Sequence, residues 1–189
     1  MTEQRKVVVV TSLGKMFKGL VDIPNAGFRT TDLFNSSNVY WRDPGEKCFE
    51  NAILFREAQM LIGGSSICVN FDKVQIKLSE VMYFYDDQRA ITDDKEKMRA
   101  STMIQKTREH LQCVDIITTE VANSFYHLIG SFFGLFKKKS NDKFIPLTDV
   151  KLTEIYHKEG KWFQRQVELP HKFIGVSTGH IEALRIRDM

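Results

Sequence analysis

The sequence lacks the features that stabilise small secreted proteins or anchor a chain in a membrane. Its three cysteines, Cys48, Cys68 and Cys113, are odd in number and none stands in C-x-x-C spacing, so neither a disulfide framework nor a zinc site is indicated. The longest apolar run is far shorter than the roughly 20 residues of a membrane-spanning helix. The N-terminal residues lack the apolar stretch of a signal peptide. We therefore expect a cytoplasmic location.

The sequence also contains none of the short motifs that mark common active sites. There is no G-x-S-x-G, P-loop, G-x-G-x-x-G or H-E-x-x-H pattern. The five histidines do not stand in metal-ligand spacing, although His157 and His171 flank one segment and could converge in space. These absences predict a protein that is not an enzyme and that uses no cofactor or metal.

A strong excess of charge of one sign is missing as well. Residues 1–86 carry ten basic and ten acidic side chains, and residues 112–189 carry eleven and nine, within a net charge of +3. Nucleic-acid-binding domains usually show a larger basic excess or a clear basic stripe. The charge pattern therefore favours a mixed, solvated surface.

The chain does contain what looks like one β-rich unit twice. Val7–Thr11 is echoed by Val114–Thr118, at an offset of 114 − 7 = 107. Ile67–Leu78 is echoed by Ile174–Leu184 at the same offset, and the intervening strand around Ile53 is echoed around residue 145 at an offset of 92. Offsets that change only in loops are typical of tandem duplication followed by divergence.

Strand patterns within each copy predict a mainly β fold. Lys6–Thr11 is a β-branched run typical of a buried strand, and Gly19 marks a bend or bulge in the next strand, Met16–Ile23. Two further strands, Ile67–Phe71 and Val74–Leu78, are predicted to form a hairpin over residues 72–73. The fourteen phenylalanines suit half-buried pleated surfaces.

We expect three parts along the chain. Residues 1–88 and 112–189 are predicted to be small β-barrel units, and residues 89–111 a connector. Asp93 and Glu96 resemble a capping box, so Thr92–Leu111 is predicted to be a linking helix or a charged connector.

The order of short strands resembles that of the Sm-like small β-barrels, the fold of bacterial Hfq and of the Sm and LSm proteins. The resemblance lies in Lys15–Ile23 with Gly19, in Phe49–Ala58 and in Val69–Leu78. It implies two tandem small Sm-like barrels that associate through exposed edge strands. The turns Asn70–Lys73 and Ser177–His180 match neither the Arg-Gly signature of Sm proteins nor the Lys-His pair of Hfq.

A polar trio in the first copy is the first candidate binding site. Arg29, Asp32 and Asn35 stand three residues apart, within a stretch, residues 29–35, that also resembles an uncharacterised family of bacterial proteins with an Sm-like core. The trio is predicted either to bind a ligand or to tie down a long loop through local hydrogen bonds.

A second candidate lies where large apolar residues meet three lysines. Phe132–Lys139 contains Phe133, Phe136, Lys137, Lys138 and Lys139, a composition suited to an acidic partner, a phosphate backbone or a membrane surface. The alternative is the end of a strand followed by a solvated loop.

Three further side chains are candidates for contact with a partner. Trp162 lies in the insertion of the second copy and Trp41 in the long loop of the first. Exposed aromatics on loops often anchor partners, and the equal alternative is that both pack over the barrels. His180 lies at the final turn, where it either contacts a ligand or is solvated.

We expect a bacterial protein that acts through protein–protein contacts or self-association. Binding of RNA or single-stranded nucleic acid is the alternative, and attachment to a membrane surface is a third, weaker hypothesis.

Overall fold

The computed structural model describes residues 3–25, 28–36, 51–62, 67–87, 111–133, 143–170 and 173–187. These residues form a mainly β structure, as predicted, with one short helix, α1 (Thr30–Asn35). The strands are β1 (Glu3–Thr11), β2 (Lys15–Ile23), β3 (Ala52–Ile62), β4 (Cys68–Lys77), β5 (Val81–Asp86), β6 (Leu111–Thr118), β7 (Ser124–Phe133), β8 (Phe144–Lys158), β9 (Lys161–Val167), β10 (Ile174–Ser177) and β11 (Ile181–Arg187). In the described part of the chain, no helix is long and apolar enough to cross a membrane.

All the strands belong to one antiparallel sheet. Its order is β11-β6-β7-β8-β10-β5-β1-β2-β3-β4, and β9 pairs with the second half of β8. The sheet is not closed into a barrel. The halves of the chain are joined in it because β10 pairs with β5 through Gly175–Phe84 and Val176–Tyr83.

The valine run of β1 is buried on both of its faces. Val7 and Val9 belong to a core made mostly of first-half residues such as Phe34 and Phe55, while Val8 and Val10 belong to a second core made mostly of second-half residues. A strand covered on both faces carries a continuous rather than an alternating apolar pattern. The β-branched run therefore reflects a central position between two cores.

Each half contains a β-bulge opposite a glycine. Gly19 of β2 faces a bulge in β3 at Glu57, which has a φ of 47°. Gly130 of β7 faces a bulge in β8 at Asp149, with a φ of 53°. A Cβ on Gly19 would lie 2.9 Å from the carbonyl oxygen of Arg56, so the close approach requires glycine. The sequence predicted a bend or bulge in β2 at Gly19, but the bulge lies in the partner strand β3, opposite that glycine, and the same arrangement recurs in the second half.

The ladders correct the sequence alignment of the two halves near their ends. Lys77 pairs with Ala52 and Ser177 with Phe144, so the offset at these strands is 177 − 77 = 100. The counterpart of Ile174–Val176 is therefore residues 74–76 rather than 67–69. The predicted hairpin over residues 72–73 is wrong, because β4 is continuous through them. Its exposed polar residues resemble a turn because β4 lies at the end of the sheet.

Two predictions about the organisation of the chain are not tested by the described residues. The predicted helix over Thr92–Leu111 lies outside the described residues, apart from Leu111, which begins β6. The boundaries at residues 88 and 112 stay a prediction. A 3-10 turn precedes the last strand of each half, at Leu78–Glu80 and at Thr178–His180.

Candidate functional site

Arg29 and Asp32 of the predicted polar trio form a pair. Both guanidinium nitrogens Nε and Nη2 of Arg29 donate to the carboxylate of Asp32, each over 2.8 Å. The hydrogen bond to Asp32 raises the pKa of Arg29 above its ordinary value. The pair is exposed at the start of α1, where an acidic residue also suits the helix dipole. Its two charges therefore neutralise each other at the surface.

Asn35, the third member of the trio, is turned toward the second half of the chain. Its Nδ2 donates to the carbonyl oxygen of Phe144 over 2.9 Å, and its Oδ1 accepts from the N–H of Phe144 over 2.8 Å. The structure thus brings Arg29 and Asp32 together and places Asn35 against the first residue of β8.

The apolar side of α1 lies where the two halves meet. Phe34 is fully buried and stacks on Phe84 of β5, with ring centroids 3.9 Å apart. It also meets the edge of Phe144, at 5.4 Å. Beneath the helix, Arg5 donates to Thr30, whose hydroxyl donates to Asp86. These contacts hold α1 as a brace between the first half and β8.

His180 also joins the two halves. Its Nε2 lies 2.9 Å from the carbonyl oxygen of Ser79, which can only accept, so Nε2 is the donor. Its Nδ1 lies 3.4 Å from the hydroxyl of Thr119. Both ring nitrogens have partners within the chain, which favours a structural role over contact with a ligand.

Trp162 lies on β9, in a hairpin with β8 that carries exposed aromatic rings. It is 53% exposed and packs against Phe125 and His157, with ring centroids 5.7 and 5.1 Å away. On the opposite face, Phe163 stacks on Tyr156 at 5.7 Å. Within the described residues, β9 has only β8 beside it.

The remaining candidates fall at or beyond the described part of the chain. Phe133 is the last residue of β7. The predicted aromatic-lysine surface lies outside the described residues from residue 134 onward, as do Phe136, Lys137, Lys138, Lys139 and Trp41.

Sequence reasoning did not single out the exposed edge of β11, which carries apolar side chains. Leu184 and Ile186 are 40% and 41% exposed. Their strand has β6 on one side and, in the ranges given above, no strand on the other. Phe84, the counterpart of Leu184 at an offset of 100 (184 − 84), is fully buried beside β10. The sequence offset of 100 between the halves could have identified this edge, because it makes Leu184 the counterpart of Phe84.

The residues described here form no cluster of three or more His, Cys, Asp or Glu side chains that could hold a metal ion. No family model, no curated protein and no solved structure matches the chain. The exposed sheet edges, among them those of β9 and β11, are the candidate site.

Proposed function

We propose that this protein is a non-enzymatic interaction module that assembles by pairing sheet edges between copies. The observation that carries the proposal is the contrast between Phe84 and Leu184. Phe84 is buried beneath Phe34 of α1 and beside β10, which pairs with β5, whereas Leu184 occupies the corresponding place on β11 and is 40% exposed. Exposed apolar side chains on a strand whose outer edge has no neighbour among the described strands are a ready site for another strand.

The recurring strand order supports two tandem Sm-like units. In the first half the order is β5-β1-β2-β3-β4, and in the second it is β11-β6-β7-β8-β10. Each order begins with the last strand of its half, pairs that strand with the first, and continues through three further antiparallel pairings. We propose that each half is an open form of the small Sm-like barrel, with the β5–β10 ladder as the junction between them.

That junction suggests the partner of β11. The counterpart of β10 in the first half is the end of β4, since residues 74–76 correspond to residues 174–176. β4 and β11 stand at the two ends of the sheet order. We therefore propose that β11 of one copy pairs with β4 of the next, head to tail. Contacts of this kind build closed rings or open filaments rather than simple two-fold dimers.

Sedimentation velocity of the wild type and two variants tests the proposal. Leu184→Glu places a charge on the exposed edge and should reduce assemblies larger than a dimer to smaller species. Leu13→Glu is the matched control, because Leu13 is 61% exposed in the turn between β1 and β2. It should leave the mass distribution unchanged.

A wild-type protein that forms no species larger than a dimer, even at high concentration, would contradict head-to-tail assembly. Binding of RNA is the alternative function. It depends mainly on Lys137–Lys139, and the structure does not describe these residues. An absorbance ratio at 260 and 280 nm typical of nucleic acid at low salt, lost after a high-salt wash, would favour that alternative.

A further inference from the structure

Among the strands that the structure describes, β9 is an edge strand, and both of its faces carry exposed aromatic residues. Six of its seven residues are exposed and the last is half-buried. Trp162 and Phe163 are 53% and 43% exposed, on opposite faces. Large apolar side chains on an unpaired edge are what monomeric sheet proteins usually avoid. They are therefore a reason to look for a strand that pairs with β9.

We propose that β9 pairs antiparallel with β9 of a second copy, about a two-fold axis beside Gln164. This interface is isologous, and it is separate from the head-to-tail contact of β11. The occupant is a second copy because the strand is complementary to itself in one register.

Geometry restricts the registers that are possible. In an antiparallel pair, residues directly opposite each other lie on the same face of the sheet. A two-fold axis perpendicular to the sheet leaves each face of β9 on the same side in both copies. Odd-numbered residues of one copy therefore lie opposite odd-numbered residues of the other, and even-numbered residues lie opposite even-numbered ones. Only the register that sets Gln164 opposite Gln164 of the second copy pairs all of Lys161–Val167.

The charges of the strand select the same register. With Gln164 on the axis, Lys161 opposes Val167 of the second copy and Phe163 opposes Arg165, so no like charges meet. The neighbouring registers place either Lys161 opposite Arg165 or Arg165 opposite itself. Like charges directly opposite each other destabilise a ladder, and these registers are disfavoured.

Contacts already present on β9 favour the pairing of Arg165 with Phe163 of the second copy. Arg165 donates to Glu154, and its guanidinium carbon lies 5.7 Å from the ring centroid of Tyr156. Phe163 stacks on that same ring. A second copy adds its own Phe163 beside the held guanidinium, where a cation and an aromatic face attract each other. Trp162, on the other face, is covered by Gln166 of the second copy.

Disulfide trapping tests the register directly. In a chain with Cys48, Cys68 and Cys113 replaced by serine, Gln164→Cys places two cysteines opposite each other across the axis. Gln166→Cys is the matched control, because it is the same substitution on the same face of the same strand. Its two cysteines are four residues apart along the ladder, roughly 13 Å, beyond the reach of a disulfide.

We expect the Gln164→Cys protein to give at least about five times more covalent dimer on mild oxidation than the Gln166→Cys protein, since only the first pair is within disulfide reach. Equal yields, or no dimer from Gln164→Cys, would overturn the proposal. Both positions are on the exposed strand, so both variants should fold; their urea midpoints verify this.

The same proteins separate this interface from that of β11. Adding Leu184→Glu to the Gln164→Cys protein should leave the yield of covalent dimer unchanged, because the edge of β11 takes no part. Gln164→Lys, which sets like charges face to face on the axis, should instead lower the dimer fraction in sedimentation. If Leu184→Glu abolishes the cross-link, the two edges are not independent and the β9 pairing is wrong.

Discussion

The side-chain amide of Asn35 meets the main chain of Phe144 as a neighbouring strand would. It donates to the carbonyl oxygen over 2.9 Å and accepts from the N–H over 2.8 Å. Phe144 is itself buried against Phe34 of α1. One polar side chain thus extends the hydrogen bonding of β8 and fixes α1 against the second half of the chain.

Replacing Asn35 with alanine should destabilise the protein measurably. The change removes both hydrogen bonds and leaves the main-chain groups of Phe144 without these partners in a part-buried place. We expect a loss of about 1–3 kcal/mol in the free energy of unfolding, measured by urea denaturation. Asn70→Ala, on the exposed strand β4, is the control and should cost no more than about 0.5 kcal/mol. Equal losses for the two variants would contradict the bracing role.

Gly175→Ala should disturb the junction between β10 and β5. A Cβ at this position would collide with the ring of Phe84, which cannot retreat because it stacks on Phe34. Overpacking of this kind costs typically about 1–3 kcal/mol. Gly179→Ala is the control, since a Cβ there would meet only the hydroxyl of Ser177, at 3.7 Å.

A double mutant identifies the cause of the loss. Phe84→Leu gives β5 the side chain that β11 has at the corresponding position, and it makes room for the new methyl group. The double mutant should therefore lose less free energy of unfolding than the two single changes together. Strict additivity in urea denaturation would show that Phe84 is not what Gly175 accommodates.

Much of the fold could be predicted because it is encoded locally. The valine run of β1 and Gly19 of β2 are short-range signals: the first marks a buried strand, and the second lies opposite the bulge in β3. The pairing of β10 with β5 could not be predicted, since it joins residues such as Gly175 and Phe84 that lie in different halves of the chain. The predicted offset of 107 near Ile174 is wrong for a related reason. β9 lies between β8 and β10, and it changes the number of residues that separate these two strands.

The candidate site shows the same division between near and distant contacts. The pairing of Arg29 with Asp32 follows from their spacing of three residues in a helical turn. The partner of Asn35 lies 109 residues away, and the carbonyl group bonded by His180 lies 101 residues away. No local pattern reports such contacts, because they depend on how the halves meet.

Stability should fall as the pH rises above the ordinary tyrosine pKa, about 10. Burial raises the pKa of Tyr83 well above that value, and burial also raises the pKa of Tyr85 and Tyr126. Between the unfolded and folded pKa values the unfolded chain loses protons that the folded chain keeps, so unfolding is favoured. The contribution is complete below pH 10 and is lost above it.

Urea midpoints measured from pH 8 to pH 11.5 examine this dependence. Tyr83→Phe removes the most deeply buried of the three phenols and should make the decline above pH 10 shallower. An unchanged slope in this variant would show that Tyr83 does not control the alkaline limit.

Glu57 should tolerate glycine but not a β-branched residue. Its φ of 47° is left-handed, a conformation that costs L-residues roughly 1–2 kcal/mol and is worst for β-branched side chains. Glu57→Val should therefore destabilise the protein by about 1–2 kcal/mol, while Glu57→Gly should be neutral or slightly stabilising.

Gln59→Val is the control, because Gln59 is equally exposed two residues along β3 and pairs with Lys18 in the regular ladder. At Asp149 valine should cost at least as much and glycine should gain less, since aspartate adopts the left-handed region more readily than glutamate. If valine costs no more at residue 57 than at residue 59, the bulge in β3 does not require a left-handed residue.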